Sequence, residues 1–171
     1  IIEEEKEEMK NFKQYVTEQK SSDITKNWRH EDARMYAEDL VKVFGEPDEM
    51  TETRLSWNSI EPPFSEVWIV DESIPHEFPA PHRDYVYSSM KIQVPNELVE
   101  ILGHASGSII YDGLKKEVTA RCGSLYANAA TLGFVRDLVD GKIKMNKDQA
   151  KKEYSARIKS KPLPEWYPNS M

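Results

Sequence analysis

The spacing of apolar residues predicts a charged helix at the start of the chain. Residues 2–20 are mostly charged or polar, with a thin apolar stripe made of Met9, Phe12 and Val16. A stripe this narrow is typical either of a helix that packs at the edge of its own domain or of one that contacts another molecule. We therefore expect residues 1–26 to form an acidic helical arm followed by a polar connector.

The same periodicity predicts four more helices. Over residues 28–44, apolar side chains recur every three or four positions and share one face. Gly45 suits the left-handed conformation that often follows a helix, and Pro47 prevents the helix from continuing. The later helices are predicted at residues 95–102, 124–140 and 146–161.

Alternation of apolar and polar residues predicts strands between these helices. The predicted strands cover residues 51–57, 66–71, 84–94, 108–111 and 117–121. Asp112-Gly113 is a strong turn signal for a hairpin of the last two strands, and the proline-rich segment 73–83 is expected to be extended or turning. We therefore predict one α+β domain over residues 27–161, in which a small antiparallel sheet of about five strands has N-terminal, inserted and C-terminal helices. Residues 162–171 are expected to form a tail rich in proline and aromatic residues.

Composition excludes several classes of protein. The net charge of −7 argues against nucleic-acid binding, which usually needs a basic surface. The apolar runs are only a few residues long, whereas a membrane-spanning helix needs about 20. Cys122 is the only cysteine, so no disulfide can form within the chain. Because the chain begins with Ile1 and has no signal-like segment, we expect any targeting segment to have been removed.

The densest group of polar residues lies between residues 74 and 84. His76 and His82 lie on a segment stiffened by prolines, and Glu77 or Asp84 could add an oxygen ligand, a set that suits zinc or a similar divalent ion. The spacing is not a recognised ligand pattern. The simpler interpretation is that the prolines shape a loop and the imidazoles bond to backbone at its bends. No bound cofactor is expected.

A second candidate is the junction of a predicted strand and helix at Arg121 and Cys122. A thiol just before a helix has its pKa lowered by the helix dipole, and the first-turn N–H groups bind anions. A nucleophilic cysteine also needs a base, which would have to be one of the four histidines. The alternative is that Cys122 is a small buried hydrophobic residue. Because other catalytic signatures are absent, the sequence favours a protein that is not an enzyme.

Aromatic residues are the third feature. Cross-strand packing is the default for Tyr85 and Tyr87, but both would form a partner surface if no helix covered them. The aromatic pair in the C-terminal tail anchors either to its own domain or to a neighbour. The candidates for binding a protein partner are therefore Met9, Phe12, Val16, Trp166 and Tyr167.

Several short motifs occur together in a fixed order. They are FGEPDE at residues 44–49, a strand ending at Trp57, PHEFPAPH at 75–82, GSII at 107–110, ARC at 120–122 and a helix containing Asn128. In this combination the chain resembles an uncharacterised family of bacterial secreted or envelope proteins over about residues 33–155. The resemblance implies export to the periplasm or beyond, and it implies no reaction, cofactor or partner.

Three functions follow from these observations. The first is a non-catalytic exported protein that acts by protein–protein interaction, such as an accessory subunit of a larger assembly, with partners bound through the N-terminal helix and the C-terminal tail. The second is a metal- or small-ligand-binding protein that uses the segment between His76 and His82. The third is an enzyme that depends on Cys122.

Overall fold

A six-stranded antiparallel sheet is the centre of the fold in the computed structural model, which describes residues 3–6, 20–78, 80–160 and 167. The strands are β1 (Glu49–Met50), β2 (Arg54–Trp57), β3 (Phe64–His76), β4 (His82–Lys91), β5 (Ile109–Asp112) and β6 (Glu117–Cys122). From one edge to the other their order is β1-β2-β3-β4-β6-β5. The helices are α1 (Ser21–Thr25), α2 (Glu31–Phe44), α3 (Asn96–Ala105), α4 (Leu125–Val139) and α5 (Lys147–Ser160). Residues 3–6 are also helical.

The α+β architecture is confirmed, with one more strand than the five expected. The additional strand is β1, which pairs with β2 at the edge of the sheet. The predicted polar connector is instead the short helix α1, in which Ile24 is buried and the Ser21 N–H donates to Glu46 Oε2 at 2.8 Å. Within the described part of the chain, no helix has the length and apolar character needed to cross a membrane.

The two faces of the sheet differ in burial. Along β6, Val118, Ala120 and Cys122 are buried, whereas the residues between them stay partly exposed. The buried face continues into a core made of alternate residues from the neighbouring strands. These residues include Leu55, Trp57, Val67, Ile69, Val86 and Met90.

Helix α4 is fixed to the middle of the sheet by polar contacts as well as by packing. The hydroxyl of Ser124 accepts the Ala127 N–H at 3.2 Å and so caps the first turn of the helix. Asn128 is fully buried, and its Nδ2 donates to the Val86 carbonyl and to the Ser88 hydroxyl, each at 3.0 Å. The bonds of Asn128 hold the beginning of α4 against β4 in the middle of the sheet.

The long hairpin of β3 and β4 extends further than the sequence indicates. The proline-rich segment 73–83 is mostly strand, and only residues 77–81 separate β3 from β4. The register shifts between Ile69 and Ile74, after which pairing resumes and ends with His76 opposite His82. The hairpin therefore places the two histidines side by side at one end of the sheet.

Candidate functional site

The two segments singled out by the sequence meet at one pocket. A cavity of about 210 Å³ lies between the end of the β3–β4 hairpin and the N-terminus of α4. Its lining residues are Tyr36, His76, Phe78, His82, Cys122, Gly123, Ser124, Ala127, Tyr154 and Ile158. The histidine segment and the Cys122 junction, which were separate candidates, are therefore parts of the same site.

A buried carboxylate lies behind the two histidines. Asp84 has no exposed surface, and its Oδ1 lies 3.0 Å from Nε2 of His82. Its Oδ2 lies 3.3 Å from Nε of Arg121 and 3.6 Å from Nδ1 of His76. One ligand atom from each of His76, His82 and Asp84 lies within 4.8 Å of the other two. Carboxylates are almost never fully buried unless they are paired, so the buried negative charge of Asp84 needs hydrogen bonds or a positive charge beside it.

The two carboxylate oxygens of Asp84 differ in their hydrogen bonding. His82 Nε2 lies 3.0 Å from Oδ1, but Oδ1 accepts no hydrogen bond from any of the described residues. Nδ1 of His82 lies 2.7 Å from the carbonyl oxygen of Ala80. Because a carbonyl only accepts, Nδ1 carries the hydrogen, and in the neutral ring Nε2 keeps its lone pair. Ligand bonds to zinc of about 2.0–2.2 Å place neighbouring donor atoms roughly 3–3.5 Å apart, which matches the distance between Nε2 and Oδ1.

The surroundings of His76 favour the neutral ring that metal binding requires. Nδ1 of His76 lies 3.1 Å from the hydroxyl of Ser108, and Ser108 is fully buried. Burial lowers the pKa of His76, and the nearby His82 and Arg121 lower it further, against the opposing effect of Asp84. A neutral imidazole whose other nitrogen is held by a hydrogen bond is the usual form of a metal ligand.

Cys122 is not prepared to act as a nucleophile. Burial raises the pKa of its thiol to about 12, and the negative charge of Asp84 adds to this effect. The expectation of a lowered pKa is therefore wrong, because burial disfavours the charged thiolate. Arg121 forms an ion pair with Asp84 on the neighbouring strand. The structure thus favours the alternative that Cys122 is a small buried side chain in the pocket wall.

The hydroxyl groups of Tyr154, which lines the pocket, and of Thr131, which contacts it, were not predicted as part of a site. Thr131 Oγ1 lies 3.0 Å from the hydroxyl of Tyr154 and donates to the Ala127 carbonyl at 2.9 Å. Burial raises the pKa of Tyr154, so the phenol stays protonated. The spacing by four of Ala150, Tyr154 and Ile158 is the signal that identifies a buried stripe on α5.

The other polar candidates lie away from the pocket. Glu77 is exposed and does not belong to the cluster of possible ligand atoms. His30 contacts Asp71, with Nδ1 3.1 Å from Oδ1. His104 lies on the exposed side of α3, 3.9 Å from Glu100. Neither histidine lines the pocket as a base for Cys122.

Most of the predicted partner-binding residues fall outside the part of the chain that the structure describes. These residues are Met9, Phe12, Val16 and Trp166. Tyr167 is described, and only 7% of its surface is exposed. Its ring packs edge-on against Tyr126 at 5.8 Å between centroids. Tyr167 is therefore buried against its own domain, which agrees with the first of the two alternatives for the C-terminal aromatic pair, and partner binding stays a prediction.

No protein-family model, curated protein or solved structure matches the chain. The resemblance to bacterial envelope proteins therefore stays a prediction.

Proposed function

We propose that the protein binds a divalent transition-metal ion at His76, His82 and Asp84, together with a small ligand in the adjoining pocket. The observation that carries this proposal is Oδ1 of Asp84, which is fully buried, accepts no hydrogen bond within the described residues and faces a histidine nitrogen. A cation shared by these groups neutralises the carboxylate and accepts the lone pairs of both imidazoles.

The donor set determines the kind of ion. Two imidazoles and one carboxylate suit zinc and the neighbouring transition metals, whereas magnesium and calcium prefer oxygen alone. Three protein donors leave at least one coordination position open, as in catalytic zinc sites. Because His76 and His82 both line the pocket, the open position faces the space in which a ligand binds.

Zinc titration of metal-free protein tests the proposal. A ligand that binds only the folded state adds about 2.7 kcal/mol of stability at a hundredfold excess over Kd. For a chain of this size we expect thermal unfolding to move upward by roughly 5–10 °C. Elemental analysis of the dialysed complex should give one equivalent of zinc for each chain.

Matched histidine variants separate this site from adventitious binding. We expect His82→Ala to abolish the zinc-dependent shift in unfolding temperature and His104→Ala to retain it, since His104 is exposed on α3. Asp84→Asn should also lose the shift, because the amide is a far weaker ligand. If zinc does not shift the unfolding temperature of the unaltered protein, the proposal is contradicted. An equal shift in His82→Ala also contradicts it.

Protein–protein interaction by an exported chain remains a second candidate, and one surface feature favours it. On the less buried face of the sheet, Trp68 and Tyr87 stack at 4.9 Å, and the guanidinium of Arg54 lies 5.0 Å from the centroid of Trp68. Tryptophan, tyrosine and arginine are the residues most enriched at interaction hot spots. Light scattering after size-exclusion chromatography of protein from its native source should show a partner that is lost in the Trp68→Ser, Tyr87→Ser double variant. A monomer in both samples contradicts this candidate.

A further inference from the structure

We infer that the ligand of the pocket is a small carboxylate with an apolar body, whose head completes the coordination of the metal ion. This inference rests on the proposed metal site, since the ion supplies the open coordination position. It adds the chemical class of the ligand, which follows from the charge, the walls and the size of the pocket.

The charges around the pocket favour an anion. A divalent ion together with Arg121 outweighs the single negative charge of Asp84. Gly123 and Ser124, at the N-terminus of the 15-residue helix α4, also line the pocket, and a helix N-terminus adds positive partial charge. Lys151 lies near the wall, with Nζ 4.7 Å from the ring centroid of Phe78. Among the described residues that line the pocket, none is an aspartate or glutamate that would repel an anionic head.

The lining favours a carboxylate over a phosphate group. Phosphate sites usually present arginine, lysine or several converging N–H groups to the oxygens. Among the described residues that line the pocket there is neither arginine nor lysine, so the oxygens of a phosphate group would lack the charged side-chain donors that such sites provide. A carboxylate fits this lining better than a phosphate group, because one of its oxygens binds the ion and the other lies near the start of α4.

The remaining walls define the body of the ligand. Tyr36, Phe78, Tyr154 and Ile158 contribute ring and aliphatic surface. The volume of about 210 Å³ is smaller than the usual pocket for a drug-sized molecule. It equals the volume of about seven water molecules, so it admits a ligand on the order of ten non-hydrogen atoms. An aromatic or branched aliphatic acid fits these limits.

Cobalt(II) substitution tests the metal and the ligand separately. Cobalt binds the same donors as zinc and has visible absorption bands that change when a ligand joins the ion. We expect Co²⁺ added to the metal-free protein to give these bands, and benzoate to change them with a saturable dependence on concentration. Benzamide has the same shape without the charge, and we expect its affinity to be lower by at least about tenfold.

Variants locate the benzoate in the pocket. Phe78→Ala should weaken benzoate roughly tenfold and leave the cobalt spectrum of the ligand-free protein unchanged, because Phe78 is not a metal ligand. Ile110→Ala, an exposed residue of β5, serves as the control and should change neither measurement.

Each contrary outcome has a distinct meaning. Absence of cobalt bands rejects the metal site, and with it this inference. Cobalt bands that do not respond to benzoate, or that respond equally to benzamide, leave the metal site intact and overturn the carboxylate. Tighter binding of inorganic phosphate than of benzoate also overturns it, as does unchanged benzoate affinity in Phe78→Ala.

Discussion

Asp71 and Asp84 are both largely removed from water, but different groups stabilise the negative charge of each carboxylate. Asp71 accepts the backbone N–H groups of Arg29 at 2.7 Å and His30 at 3.0 Å, at the start of α2. Burial acts to raise the pKa of Asp71, but these hydrogen bonds outweigh it, and the pKa falls below its ordinary value. Asp84 is fully buried, and its Oδ1 accepts no hydrogen bond from the part of the chain that the structure describes. The first aspartate therefore acts as a structural cap, and the second is the candidate metal ligand.

The lowered pKa of Asp71 predicts a pH dependence of stability. The ionised carboxylate contributes fully above the ordinary pKa of 3.8 and is lost as the pH falls through the lower pKa of the folded state. We expect Asp71→Asn to be less stable than the unaltered protein at pH 6. The difference in unfolding free energy should shrink as the pH is lowered below about 4. Urea unfolding at a series of pH values measures this difference, and a gap that stays constant would contradict the assignment.

The buried amide of Asn128 leads to a second prediction. Asn128→Ala leaves the Val86 carbonyl and the Ser88 hydroxyl without their amide donor in the core, at a cost of roughly 1–3 kcal/mol. Asn58→Ala is the matched control, because Asn58 is exposed, and should change stability by about 0.5 kcal/mol or less. Chemical denaturation distinguishes the two variants, and equal losses would show that the buried bonds contribute little.

At the scale of the elements, the residue that caps α4, Ser124, contributes to the stability of the helix and also lines the pocket. Ser124→Ala removes the acceptor of the Ala127 N–H and should cost about 1 kcal/mol, whereas Ser124→Asp retains an acceptor and should keep most of the stability. Ser155→Ala, within α5, provides a serine control. The unfolding free energies of the three variants check this prediction, which fails if the alanine and aspartate variants at 124 are equal.

The elements that could be predicted from the sequence are those whose signals are local. Helix α4 has a regular apolar face and a serine cap, and α5 begins with reciprocal hydrogen bonds between Asn146 and Gln149. The β5–β6 hairpin follows from alternation and from the Asp-Gly turn. Periodicity and capping act over a few residues, so a single sequence is sufficient to identify them.

The parts that could not be predicted depend on distant contacts. Prolines at 75 and 81 indicate a loop, yet sheet pairing extends as far as His76 and His82, because the register shift after Ile69 adds residues to β3. No local signal distinguishes Asp84 from an exposed aspartate, since its burial depends on packing around it. Ser108 reaches His76 only because β5 and β6 fold beside the long hairpin.

At the scale of the whole molecule, the unequal faces of the sheet predict unequal responses to the same truncation. Ile69 is fully buried, and Ile69→Ala should cost about 2–5 kcal/mol through lost contacts and the cavity that remains. Ile110 is 47% exposed, and Ile110→Ala should change stability by about 0.5 kcal/mol or less. Denaturant midpoints of the two variants check this, and similar midpoints would contradict the assignment of the core.

The lengths of the outermost strands have a consequence for behaviour at high concentration. β1 has two residues and β5 has four, so both outer strands are short. Inside them, β2 pairs with β3 over Val67–Val70, and β6 pairs with β4 over Val86–Lys91. Unpaired N–H and C=O groups along an outer strand act as a template for strands from other chains, and a short strand offers few of them. The two outermost strands therefore present little backbone to which a strand of another copy can add, which disfavours growth of the sheet at these two edges.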